Sequence, residues 1–360
     1  MPGSTAGGLP AVPDGPFSGA HPVQNAVQML SLGMWTSRML QTAAELGVAD
    51  AMPADGGASV AELAELTGTN PDALGRLLRG LSASGIFAPA EEGRYVHTER
   101  SLVLREDHPQ TLHYWARVYG SHWMWASCAG MTEAVRTGRA AFPAEFHRPV
   151  WAYLENEPAQ QWVFQQGMAE FTRLHAQSLA DALEVGDART VADIGGGQGS
   201  VLRAVLHRHP HLDGVLFENK SVLDALRGGR ITVGFRLVAG DASEAVDCPA
   251  DIYLLGHFVH LFEDDGAVRV LANCAAAAPP GARIIAMERV IADGPKDTFG
   301  KVVDLLMFCY SGGRERTEDV YHALFERAGL TWAGITPTAS DMSLIEGIVR
   351  AEPPVSPRTS

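Results

Sequence analysis

The sequence has little cysteine, little positive charge and no long apolar run near its start, and each shortage narrows what the protein can be. Its four cysteines, Cys128, Cys248, Cys274 and Cys309, are scattered without a CxxC pair. That spacing offers neither a zinc site nor a disulfide framework, so no metal is expected and the thiols read as the reduced cysteines of a cytoplasmic protein. The formal charge of −14 over 360 residues argues against nucleic acid or an anionic membrane as a partner. Residues 1–20 hold nine Gly or Pro and no Lys or Arg, which reads as a disordered leader and not a signal peptide. Residues 352–360 read as a flexible tail. The whole chain, 46% apolar and 19% charged, has the make-up of an ordinary globular protein with enough length for two domains.

From Asn25 to Ala51 the pattern is helical and apolar nearly all round, through Val27, Leu30, Met34, Trp35, Met39, Leu40 and Leu46. Such a helix needs burial on more than one side, by a second subunit or by its own domain. Ser59 and Glu62 have capping-box spacing, Asn70-Pro71 opens a second helix to Ser84, and Ile86–Thr98 reads as a hairpin turning at Glu92-Gly93. Helix–turn–helix plus hairpin is a winged-helix pattern and raises DNA binding. Between Ala58 and Glu106, however, seven acids face five arginines and no lysine, which favours a structural or dimerisation module. The helical stretch from Gln110 to Leu183 is rich in large side chains, among them Trp115, Tyr119, Trp123, Trp151, Phe164, Met168 and Phe171. Such a set suits a core and suits a flat organic substrate equally.

After Val191 strands and helices alternate, with strands at Thr190–Ile194, Gly214–Phe217, Phe235–Ala239, Ile252–Leu255, Arg283–Met287 and Leu344–Val349. This predicts a parallel sheet covered on both faces, with ligands at the carboxyl ends of its strands. Four features fall at those ends. Asp193-Ile194 runs into the glycine turn Gly195 to Gly199, but position 200 is Ser200 and no G-x-G-x-x-G is completed. Glu218 closes the second strand at a spacing suited to a ribose. Gly240-Asp241-Ala242 closes the third, where a carboxylate and backbone amides can read an adenine edge. His257 and His260 follow the fourth, and two later acids, Glu288 and Glu315, can fix an imidazole tautomer and raise its basicity. In order, these strand ends point to a nucleoside-type cofactor.

The motifs DIGGGQGS, the strand-end acid, the GD pair, L-L-x-x-x-x-H-x-F-x-D-D, P-P-G-A-R-x-x-x-x-E-R-V and G-G-R-E-R-T-E resemble those of S-adenosylmethionine-dependent small-molecule O-methyltransferases of the caffeate type. The resemblance spans about residues 25 to 350. It implies a Rossmann-like class I methyltransferase domain at 186–351, preceded at 21–185 by a winged-helix dimerisation and substrate-lid domain, and hence a homodimer. It assigns His260 as base with Glu288 and Glu315 in support. It places S-adenosylmethionine against Asp193, Gly195, Gly197, Glu218, Asp241, Ala242, Gly256 and Phe262, leaving S-adenosylhomocysteine as product. Trp151, Phe164, Met168, His257 and Met307 are the candidate acceptor contacts. The chain departs from the family in three places. Glu218-Asn219-Lys220 replaces Asp-Leu-Pro, with Ser221–Ile231 reading as less helical than usual. Leu261-Phe262 replaces Asp-Trp, and Gly256 replaces a common lysine.

The implied reaction is methylation of a hydroxyl, phenolic in a small aromatic or polyketide-like natural product such as an antibiotic precursor. Rival readings are N- or C-methylation, or a relative that binds the same cofactor yet hydroxylates, decarboxylates or cyclises. A nicotinamide dehydrogenase, disfavoured by the broken glycine spacing, and a ligand-sensing winged-helix regulator complete the set.

Overall fold

Successive residues of the central strands bury toward opposite sides of one sheet, and this alternation accounts for the architecture. The computed structural model describes residues 22–228, 234–292, 294 and 298–350; the expected leader, the expected tail and the end of the Ser221–Ile231 segment lie outside them. Two compact units divide between His108 and Pro109, so the aromatic helices of 109–185 pack as part of the larger unit.

The smaller unit carries a three-stranded antiparallel sheet, β1 (Ala58–Ser59), β2 (Phe87–Pro89) and β3 (Arg94–His97), in the order β1-β3-β2. Ser59 caps the helix Val60–Thr67 in a complete capping box with Glu62, and the Asn70 side chain accepts from the Ala73 N–H at the start of Pro71–Ala83. Leu63, Leu74, Leu78 and Leu81 form the buried face of these two helices. The expected first helix is two: Pro22–Glu45 and Val48–Ala51, parted at Gly47, whose φ of 64° interrupts the helical backbone. Its apolar first half is not buried within this chain. Leu30 is 82% and Trp35 65% exposed, and Val27 and Met34 are also exposed.

The larger unit holds a seven-stranded sheet in the order β6-β5-β4-β7-β8-β10-β9. Its members are β4 (Thr190–Ile194), β5 (Asp213–Glu218), β6 (Arg236–Ala239), β7 (Ile252–Gly256), β8 (Arg283–Glu288), β9 (Leu330–Pro337) and β10 (Ser343–Val349). β4 to β8 run parallel to one another, whereas β10 runs antiparallel to both β8 and β9. The sheet is therefore mixed, and β9 is a strand that the residue pattern does not announce. With Gly334 inside it, Pro337 at its end and much of its length exposed, it lacks the apolar run of its neighbours.

Ala192, Ile194, Phe217, Tyr253, Leu255, Ile284 and Ala286 meet Val270, Leu271 and Phe325 on one face. Val191, Leu216, Ile252, Leu254, Ile285 and Met287 meet Leu179, Leu202 and Leu223 on the other. A sheet buried on both faces needs such continuous apolar strands. The segment after Glu218 is helical after all: Lys220–Gly228 forms a helix because Val222, Leu223 and Leu226 supply a buried stripe.

Candidate active site

All five parallel strands deliver their carboxyl ends to one side of the sheet, where a cavity of about 310 Å³ opens beside the switch in strand order at β4. Gly195, Gly196 and Gly197, Glu218, Asp241, Gly256 and Phe262 line it. Trp115, Tyr119, Trp151, Phe164, Met168 and Met307, on helices of the same unit, line it too. Of the expected cofactor contacts, Ala242 does not reach the cavity. It is 4% exposed within the core, and its carbonyl accepts from Asn273 Nδ2 at 2.9 Å. A small apolar side chain just past a strand end is drawn into the sheet's covering layer, and its neighbours Asp241 and Ser243 line the space instead.

The glycine turn packs too tightly for side chains. A Cβ on Gly195, which has a φ of 66°, would stand 2.3 Å from the Phe258 ring, and the Gly195 N–H donates to the Phe217 carbonyl at 2.8 Å. Glu218 folds over the turn. One oxygen accepts from the Gly197 N–H at 3.0 Å and the other from the Asn219 N–H at 2.6 Å. Burial raises its pKa against the pull of those two amides. Asp193 lies beneath, 1% exposed. Neither of its oxygens has a partner of ordinary hydrogen-bond geometry among the described residues. Burial, and then the Glu218 charge, push it up to about 7. A closely approached glycine turn beside buried, under-satisfied carboxylates suits a ligand with hydroxyl and cationic groups, so these residues fit a nucleoside-type cofactor.

His260 sits on the short turn Val259–Leu261 that follows β7. Glu288 at the end of β8 organises that turn: one of its oxygens accepts from the N–H groups of Phe258, Val259 and His260 at 2.9, 2.8 and 3.2 Å. Its other oxygen lies 3.4 Å from His260 Nδ1. Glu315 approaches the same nitrogen at 2.8 Å, and its own N–H donates to Asp304 Oδ1 at 2.9 Å. A carboxylate only accepts, so Nδ1 carries the hydrogen and Nε2 keeps its lone pair. Burial alone would lower the His260 pKa; the Glu288 and Glu315 charges outweigh it and the net shift is upward. His260 lines the cavity, while the two glutamates stand behind it.

The loop SGGRERT reaches this corner because position 313 is glycine: a Cβ there would meet the His260 carbonyl at 2.0 Å. Arg314 N–H donates to that carbonyl at 2.9 Å. Arg316, 1% exposed, donates to Asp264 and to the Phe262 carbonyl. It locks the turn that bears the histidine. The expected acceptor contacts Trp151, Phe164, Met168, His257 and Met307 all line the cavity. Residue patterns did not single out Phe258, Arg316, Asp304 or Arg289 for the site. Of these, Arg316 and Arg289 stood as named letters inside quoted motifs.

An O-methyltransferase domain model matches residues 128–331, and an O-methyltransferase dimerisation domain model matches residues 29–107. The phenazine O-methyltransferase PhzM of Lysobacter antibioticus is 33% identical over 334 residues, covering 91% of this chain and 97% of that protein. Aclacinomycin 10-hydroxylase RdmB of Streptomyces purpurascens is also 33% identical, over 86% of this chain and 87% of its own length. The O-methyltransferase NcsB1 from neocarzinostatin biosynthesis, solved with S-adenosylmethionine and 2-hydroxy-5-methyl naphthoic acid, superposes with a TM-score of 0.73 at 29% identity, covering 87% of this chain and 96% of that one. Both the dimerisation and the catalytic domain models that match are those of O-methyltransferases, and the chain belongs to the O-methyltransferase family.

Proposed function

We propose that the protein transfers a methyl group from S-adenosylmethionine to a phenolic hydroxyl of a small aromatic or polyketide-like natural product, with His260 as the general base. The observation that carries this reading is the His260 corner. An imidazole has its Nδ1 hydrogen fixed by Glu315 at 2.8 Å, and it lines a cavity shared with the glycine turn and with an aromatic wall. The sulfonium donor brings an already activated methyl, so the protein has no electrophile to build. What its residues supply is position and a proton acceptor. Glu218, Asp241 and the turn Gly195–Gly197 hold the donor, with Asp193, Gly256 and Phe262 around them. Trp151, Phe164, Met168 and Met307 hold the acceptor ring by apolar contact. His260 Nε2 takes the hydroxyl proton as the oxygen–methyl bond forms, while Glu288 and Glu315 keep the ring oriented and balance its charge.

The smaller unit serves as the dimerisation domain of a cytoplasmic homodimer. Its support is the dimerisation-domain match together with the exposed apolar face of Pro22–Glu45. Among the described residues no helix is long and apolar enough to cross a membrane. Because one relative is named as a hydroxylase, product mass is the decisive readout. Incubation with methyl-labelled S-adenosylmethionine and a panel of phenols should add one labelled CH2 to the acceptor oxygen. Gain of an oxygen or loss of CO2 without methylation would overturn the reading.

A further inference from the structure

A second polar corner of the cavity has no task in methyl transfer as described. His257 has a φ of 51°, a conformation that non-glycine residues rarely hold and that clusters at ligand sites. Its ring lines the cavity against Phe171, with centroids 5.0 Å apart. Neither ring nitrogen has a partner among the described residues. Burial first, then the charges of His260 and Arg289, hold its pKa well below the usual value. The ring is therefore neutral, with one N–H to donate. Arg289, 3% exposed, lies between Phe171 and Phe299, 5.3 and 4.8 Å from their centroids. Its Nε donates to Asp341 at 2.7 Å, but its Nη2 has no partner among the described residues.

Buried N–H groups left unpaired are costly, and a ligand that supplies an acceptor removes that cost. Asp341 already neutralises Arg289, and Glu288 stands close to His257. A second anion is thereby disfavoured, and a neutral oxygen suits the two donors best. The His257 and His260 ring centroids are 5.8 Å apart, so the oxygen held here and the hydroxyl facing His260 belong to one ring or to fused neighbours.

We infer that the acceptor carries a neutral carbonyl oxygen close to the hydroxyl that is methylated, held by Arg289 Nη2 and His257, making it a hydroxyaryl ketone or hydroxyquinone. The placement of the hydroxyl rests on the proposed methyl transfer; the carbonyl subsite rests on the unpaired donors. Three probes separate the cases: 1-hydroxy-2-acetonaphthone, 1-hydroxy-2-naphthoate and 1-naphthol. Their affinities for the full-length protein, saturated with S-adenosylhomocysteine, are read by tryptophan fluorescence, and methyl transfer is measured separately by product mass. The ketone should bind about 10- to 100-fold more tightly than naphthol, as a hydrogen bond to a charged donor allows. Arg289→Met should remove most of that preference. His257→Asn, which tolerates the left-handed backbone, should reduce it, and unchanged S-adenosylhomocysteine affinity will show that both variants fold. Equal or absent binding of the ketone, or a preference that survives Arg289→Met, overturns the subsite. Tighter binding of the carboxylate overturns the neutral-oxygen assignment. Selective ketone binding with no methyl transfer to any probe leaves the subsite standing and counts against the proposed reaction.

Discussion

Two pairs of buried acids, one lining the cavity and one behind its histidine, behave differently. Glu288 and Glu315 share an imidazole between them, and Glu288 also accepts from three turn amides. Among the described residues no cation is paired with Asp193 or Glu218. Glu218 rests on two amides, while Asp193 finds no partner of ordinary geometry among the described residues and burial pushes it up to about 7. The first pair has its counter-charge in His260 and tunes a base, although one oxygen of each glutamate makes no hydrogen bond among the described residues. The second is incomplete, and the missing interactions are those a cofactor's hydroxyl and positive groups supply. Residue type is the same in both corners; what differs is whether the fold itself provides the counter-charge.

The contrast can be broken most sharply at the histidine. His260→Ala should lower kcat by about 10²–10⁴-fold, the usual worth of a general base. Affinity for S-adenosylhomocysteine, measured by calorimetry, should stay close to that of the wild type. Undiminished turnover would remove His260 from the mechanism.

Glu315→Gln keeps the shape and takes away one of the charges that raise His260. Turnover should fall by about 10–100-fold, the scale seen when a group that orients a histidine is altered. Because the His260 pKa falls toward that of an unassisted imidazole, the neutral base appears at lower pH. The acidic limb of the kcat profile should therefore move to lower pH. A limb that does not move would mean that Glu315 shapes the loop without tuning the base.

The smallest effect belongs to the other pair. A folded-state pKa of about 7 against an ordinary 3.8 means that the folded chain keeps a proton that the unfolded chain has already lost. Stability is therefore given up as pH rises from about 4 through about 7, and none is given up below that window. Asp193→Asn should then raise Tm by a few degrees at pH 8 and hardly at all at pH 4, as followed by scanning calorimetry of the ligand-free protein. An equal gain at both pH values would show that burial of the charge is not what Asp193 costs.

Much of this could be read along the chain. β4, β5, β7 and β8 announce themselves because strands buried on both faces need unbroken apolar runs, and each ends at a residue of the site. β9 does not, since it lies at the sheet edge and mixes glycine, proline and exposed positions. The motif-bearing residues His260, Glu288, Glu315 and Glu218 were visible one by one. Nothing local distinguished Ala242, which turns into the core, from Asp241, which lines the cavity. Arg289 looked like one more charged residue after a strand until Phe171, far away in sequence, and Phe299, ten positions on, were found against it.

The sequence by itself determined the alternation of strands and helices, the glycine turn, the placing of acids and a histidine at successive strand ends, and the apolar first helix. These depend on local periodicity and on residue chemistry, which a linear pattern carries. Tertiary structure alone decided that Glu288 and Glu315, 27 positions apart, approach one imidazole nitrogen, that Asp193 is left under-satisfied, and that His257 and Arg289, both lining the cavity, keep ring and guanidinium nitrogens unpaired among the described residues. Those outcomes depend on which distant groups share a low-dielectric space, and only the folded packing sets that.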